Sequence, residues 1–279
     1  MPGMIWGKVL RSPYPHATIK SINTKKAEEL DGVFSVATSA DFVDFPVDTP
    51  VILGIQDIRW MARNVLAKEK VLFHGHPIAA VAARTEEIAE KACELIEVDY
   101  DVHPWAIEID DAIKPDAPIL HDFIKFDGKP SNIAGTLEHK KGNIEEGFKD
   151  ADIIIEKEFE TAAVHQGYLE THACLVSVSP DDRTTIWSSS QGQFMVRAMT
   201  SFITGIPQSS IRAIPAEIGG GFGGKTIVYL EPVATILSKK SGRPVKMVMT
   251  REEVMRASGP TSGSAWRVRV GARNDGGLA

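Results

Sequence analysis

Residues 219–226 read Gly219-Gly220-Gly221-Phe222-Gly223-Gly224-Lys225-Thr226, with five glycines in six positions. Such a stretch has almost no side chains to hold a ligand away from its main-chain N–H groups. Ordering it is costly, because glycine loses more backbone entropy than any other residue. Taken literally, the string satisfies the phosphate-loop pattern of Gly, four residues, then Gly-Lys-Thr. That motif needs a clean strand before it and an uninterrupted helix after it. Pro215 interrupts the preceding stretch Ile211–Ile218, and Pro232 falls early in the following helical pattern. The strand predicted over 245–249 runs into Thr250-Arg251 instead of an aspartate for magnesium. A nucleotide hydrolase is therefore the disfavoured reading.

Outward from the loop, Ile227, Leu230, Val233, Ala234 and Leu237 predict one face of a helix ending at Gly242. Upstream, the pattern predicts strands over 173–178 and 184–188 and a helix over 194–204. A helix over 144–149 and a strand over 153–161 precede them. Residues 109–143 carry Pro115, Pro118, Gly128, Pro130, Gly135 and Gly142 and read as a linker or long surface connection. Residues 1–110 alternate strands (5–10, 17–22, 33–37, 71–73, 78–83, 96–100) with helices (25–30, 85–94), an α+β pattern. Trp266, Val268 and Val270 alternate with Arg267 and Arg269 as a half-buried strand. Asn274-Asp275-Gly276-Gly277 then signals a hairpin whose returning strand lies outside the 279 residues. This implies a truncated gene product or one part of a split protein.

Hydrophobic content of 43%, charged content of 24% and a net charge of −6 fit a globular chain without nucleic acid or an anionic membrane as partner. No apolar run nears the roughly 18 residues of a membrane span, and the N-terminus has no signal region, so the expected location is cytoplasmic. Cys93 and Cys174 can build neither a disulfide framework nor a cysteine metal cluster. His74 and His76 form an H-x-H pair that reads as a turn with solvated histidines, since no third ligand lies near. No metal ligation by side chains is expected.

Six segments follow one another along the chain. Leu10–Ala17 (LRSPYPHA), Gly75–Ala79 (GHPIA) and Tyr168-Leu169-Glu170 come first. Trp187–Gly192 (WSSSQG), Gly219–Lys225 and Gly242–Val245 (GRPV) complete the series. In that order they resemble the molybdenum-binding large subunit of the xanthine dehydrogenase and aldehyde oxidase family. The resemblance covers essentially the whole chain but only the N-terminal part of such a subunit. It implies an α+β fold: an α/β-hammerhead domain over 1–110, a linker over 111–143, and over 144–279 the first, incomplete portion of a molybdopterin-binding domain.

The resemblance further implies a molybdenum–molybdopterin cofactor, in the cytosine dinucleotide form common to bacterial members. Cofactor contacts fall to Gly220, Gly221, Phe222, Gly223 and Gly224, with the backbone of Gly221–Gly223 facing the metal's apical oxo ligand. Gln191 would reach the metal's ligand sphere as a catalytic residue, its amide donating without adding negative charge. Lys225 has two readings, a contact to cofactor phosphate or a solvated lysine opening a helix. His165 and His172 border Tyr168–Glu170 as structural or site-lining residues. Glu170 is not assigned as the base, which in the family lies beyond position 279. Purine-oxidising members carry a glutamate where this chain has Thr226, so aldehydes, other N-heterocycles or aryl thioesters are the implied substrates. Water-derived oxygen would enter at a C–H carbon, and electrons would leave to [2Fe–2S] and FAD subunits. A further chain or segment would complete the molybdenum domain. The alternative is a catalytically incomplete fragment that docks to redox partners. Substrate, electron acceptor and oligomeric state stay open.

Overall fold

A seven-stranded mixed sheet organises the larger part of the chain. Its strand order is Ile211–Pro215, Thr184–Ser188, Ala173–Val178, Val245–Val248, Ile5–Arg11, Pro77–Ala83 and Val33–Thr38. The structure, a computed structural model, describes residues 1–45, 52–53, 56–122 and 124–279. Ile5–Arg11 runs parallel to Val245–Val248, and Thr184–Ser188 runs parallel to Ile211–Pro215, whereas the other neighbours are antiparallel. The sheet thus draws strands from both sides of the sequence divisions at 110 and 143. By contacts the chain forms two units, 1–104 with 165–259, and 105–164 with 260–279.

Within the first unit, Pro77–Ala83 is buried at every position, as its uninterrupted apolar run requires of a strand covered on both faces. The helix Gln193–Thr204 covers the sheet with Val196, Met199 and Ile203, and the helix Glu231–Ser241 does so with Val233, Ala234 and Leu237. Gly205 and Gly242 end these helices in the left-handed conformation. A three-stranded antiparallel sheet, Lys70–Val71, Ala17–Asn23 and Glu97–Val102, accompanies the large one. Thr85 caps the helix Glu86–Glu94 by accepting from the Ile88 N–H.

The second unit holds the irregular stretch, whose described residues form a short helix at Ile109–Ala112 and two-residue strands at Lys125–Phe126 and Lys129–Pro130, and then the helix Ile144–Lys149. Its main feature is a two-stranded ribbon pairing Ile153–Thr161 with Ser264–Ala272 over nine registered positions. After the Asn274–Gly277 turn, Leu278 bridges back to Ala272.

Several expectations are corrected. The helix after the glycine loop starts at Glu231, leaving Ile227 outside it, because Pro232 belongs in the first helical turn. Ile211–Pro215 is a strand after all, tolerated with its proline because it lies at the sheet edge with Pro215 last. Trp266, Val268 and Val270 are exposed instead of half-buried. His76 is wholly buried: Nδ1 accepts from the Leu72 N–H and Nε2 donates to the Arg63 carbonyl, so it is a packed structural residue. Two helices, Ile58–Val65 and Arg251–Ala257, lie where the sequence pattern predicts none.

Candidate functional site

The glycine loop runs from the strand Ile211–Pro215 to the helix Glu231–Ser241 and is held from beneath by three side chains. Gln191 sits just past the strand Thr184–Ser188. Its Oε1 accepts from the N–H groups of Gly223 (3.0 Å) and Lys225 (3.1 Å), and its own N–H donates to the Lys225 carbonyl (2.9 Å). Two donors on one oxygen fix the orientation of the amide, leaving Nε2 with no partner among the described residues. The structure thus brings Gln191 directly against the loop.

Glu170 is the second brace. One carboxylate oxygen, Oε2, accepts from the Gly219 N–H (2.9 Å) and from the Lys225 ammonium (2.6 Å). Its own N–H donates to the Gly219 carbonyl (3.2 Å). Burial pushes the Glu170 carboxyl upward, but the hydrogen bonds from Lys225 and Gly219 and the lysine's charge outweigh it, so the group lies below its ordinary range. Lys225 is not a solvated lysine opening a helix. Its side chain is 1% exposed, ion-paired to Glu170 and 5.0 Å from the centre of the Tyr168 ring. An ammonium so occupied, with the next helix starting only at Glu231, does not make a phosphate loop.

Tyr168 is the third. Its ring is 1% exposed and lies under the loop. A Cβ built at Gly224 would meet Tyr168 Cε1 at 2.7 Å, and one at Gly221 would meet Gln191 Oε1 at 2.5 Å, which is why side chains are absent there. The Tyr168 hydroxyl bonds His172 Nε2 (2.7 Å) and Ser258 Oγ (2.9 Å), while Ser258 donates to the Val254 carbonyl. His165 takes the Gly167 N–H on Nδ1, so its Nε2 donates to Ser258. Burial first, and the Lys225 charge second, hold His172 neutral with its pKa lowered to about 3. These two histidines support the floor of the loop. Further along, Glu231 is buried and accepts from the Ser188 hydroxyl and the Tyr229 N–H, anchoring the helix start.

Of the loop's own N–H groups, Gly219, Gly223, Gly224 and Lys225 are engaged within the chain. Those of Gly220, Gly221, Phe222 and Thr226 have no partner among the described residues, the first three of them consecutive. Gly223, one of the three residues expected to face the oxo ligand, directs its N–H to Gln191. Phe222 has φ of 49°, a left-handed conformation that costs a non-glycine residue about 1–3 kcal/mol, and its ring is 75% exposed. Thr226 turns its hydroxyl onto the Gly223 carbonyl (3.0 Å). Both cysteines are buried away from this chemistry; burial pushes Cys93 up to about 12 and raises Cys174 well above its ordinary value.

Residues 125–279 match the molybdopterin cofactor-binding domain family, and residues 1–104 match the a/b hammerhead domain of aldehyde oxidase and xanthine dehydrogenase. The chain belongs to the xanthine dehydrogenase and aldehyde oxidase family. It is 37% identical, over 99% of its length, to a probable xanthine dehydrogenase component of Bacillus subtilis, of which it covers 35%. CO dehydrogenase of Oligotropha carboxidovorans superposes on the whole chain with a TM-score of 0.82 at 31% identity, again with 35% of that chain covered. Quinoline 2-oxidoreductase of Pseudomonas putida superposes with a TM-score of 0.84 at 25% identity. The chain therefore spans about a third of these molybdenum hydroxylase subunits, and its α+β architecture is that of their hammerhead domain and part of their cofactor-binding domain. No described helix is long and apolar enough to cross a membrane.

Proposed function

We propose that the loop Gly219–Thr226 receives the molybdopterin cofactor of an oxidoreductase that hydroxylates an aldehyde, an N-heterocycle or a related substrate. The observation that carries this reading is the run of three consecutive unpaired main-chain N–H groups, Gly220 to Phe222, beside the unpartnered Nε2 of Gln191. The donor set fits an anionic metal-oxo group. It offers hydrogen bonds without side-chain bulk, and Lys225 already neutralises the carboxylate of Glu170. When bound, the group supplies water-derived oxygen and takes up the electrons removed from a C–H carbon. The chain's own residues bind and orient it. Gly220, Gly221 and Phe222 donate from the main chain, Gln191 donates from Nε2, and Gly223 and Gly224 hold Gln191 and admit Tyr168. Thr226 offers no charge to a purine, which supports a substrate other than xanthine. The cytosine dinucleotide form, [2Fe–2S] and FAD subunits and a base supplied by other residues complete the reading.

A second reading has its own support: the tip at Phe222 and Gly223 is exposed. The isolated chain would then be catalytically incomplete, and turnover would require a partner chain or segment. Metal analysis of the complex purified from its native source tests both. Stoichiometric molybdenum with activity supports the first, and molybdenum only after a partner is added supports the second. Magnesium-dependent nucleotide binding without molybdenum would overturn them together.

A further inference from the structure

Glu170 and Lys225 are unusual for charged residues, because they touch the loop at both ends while facing each other. Lys225 is buried almost completely, and a buried ammonium needs a counter-charge to stay folded. Its counter-charge is Glu170 Oε2, and that same oxygen also accepts from the first N–H of the loop. Gly219 and Lys225 are thereby drawn to one point, six residues apart in sequence. The segment between them, which holds the three unpaired N–H groups, is closed by that contact. Gln191 adds to the closure from the other side through Gly223 and Lys225. A run of glycines has no side-chain packing of its own to fix it, so closure must come from neighbours.

We infer that Glu170 is a positioning residue: by joining Gly219 to Lys225 it latches the glycine loop, holding the N–H groups of Gly220, Gly221 and Phe222 in place before any cofactor binds. The inference rests on the cofactor reading for its purpose, but the latch itself is a property of this chain. Pre-arranged donors bind an anion without the ordering loss that a loose glycine segment incurs on binding.

Amide hydrogen exchange of the full chain in its native complex tests it, with Glu170→Gln, Lys225→Met and the double variant. Glu170→Gln keeps an acceptor for Gly219 but removes the charge that holds Lys225. Each single variant should raise exchange at Gly219, Gly223 and Lys225 about tenfold or more, with the strands Ala173–Val178 and Thr184–Ser188 unchanged. The double variant should be no worse than either single one, because the two changes remove one shared interaction. Glu86→Gln with Glu90→Gln supplies the control: these pair with Lys8, the other buried lysine, and should leave loop exchange as it is. Additive effects in the double variant, or a rise spread evenly over both strands, would overturn the latch. Molybdenum content is read separately. Loosened loops with undiminished molybdenum uphold the latch and count against the cofactor reading, whereas unchanged loop exchange overturns the latch at any molybdenum content.

Discussion

The glycine loop and the ribbon of Ile153–Thr161 with Ser264–Ala272 are opposite solutions to building with a main chain. The loop has almost no side chains, and the neighbouring Gln191, Glu170 and Tyr168 hold its backbone. The ribbon has a main chain paired over nine positions in register, and surplus side chains: Ile153, Ile155, Phe159, Trp266, Val268 and Val270 alternate onto one face, all exposed. Where polar groups have found partners inside the chain, single substitutions should be felt in the chain itself. Where apolar groups have none, they should hardly register.

The largest effect belongs to Tyr168→Ala. It empties a buried site beneath Gly220 and Gly224 and strips partners from His172, Ser258 and Lys225. A loss of about 3–5 kcal/mol is expected in urea unfolding, as for other large-to-small changes in cores. The contrast with the ribbon breaks down if Phe159→Ala costs as much.

Acid sharpens the same contrast. His172 in the folded chain resists protonation down to about 3, whereas in the unfolded chain it takes a proton near 6.5. Below 6.5 the unfolded state binds a proton that the folded state refuses. This stability is therefore full above 6.5 and drains away as pH falls toward 3. By about pH 4.5 the loss should reach about 2–3 kcal/mol, at roughly 1.4 kcal/mol per unit. His172→Gln should flatten that limb of the urea midpoint against pH. Equal slopes in variant and parent would remove His172 from the explanation.

Gly221→Ala comes next. The new methyl would lie 2.5 Å from Gln191 Oε1, so Gln191 must swing off the loop and release Gly223 and Lys225. About 1–3 kcal/mol of overpacking cost is expected, together with loss of molybdenum from the complex. Gly223→Ala, with open space around its Cβ but φ of 89°, separates strain from crowding.

Much of this was legible before the fold. The strands 173–178 and 184–188 and the ribbon strand 153–161 follow from alternation and turn residues alone. The glycine loop and Gln191 follow from motif order. The burial of Lys225 was not legible, because its counter-ion lies 55 residues upstream and nothing in local composition links them. The same holds for the Tyr168–Ser258 contact, 90 residues apart. The helix Arg251–Ala257 did carry a signal: Thr250 and Glu253 form a reciprocal capping box, a four-residue pattern readable in sequence. The exposure of the ribbon could not be read, since alternation marks a strand with two different faces but not whether the apolar face is covered.

The smallest effect is the one that defines the ribbon. Phe159 and Trp266 are direct cross-strand partners, 56% and 59% exposed, on a face that buries little against the rest of its unit. Replacing both with threonine puts strand-favouring β-branched residues at these positions and leaves all nine main-chain pairings intact. Unfolding stability of the chain should then shift by no more than about 0.5 kcal/mol, the usual range for surface changes. Solubility should rise, because an exposed apolar strip is an association surface. A loss of stability comparable to that of Gly221→Ala would mean that these rings are packed in solution, and the division between a braced loop and an unmatched ribbon would fail.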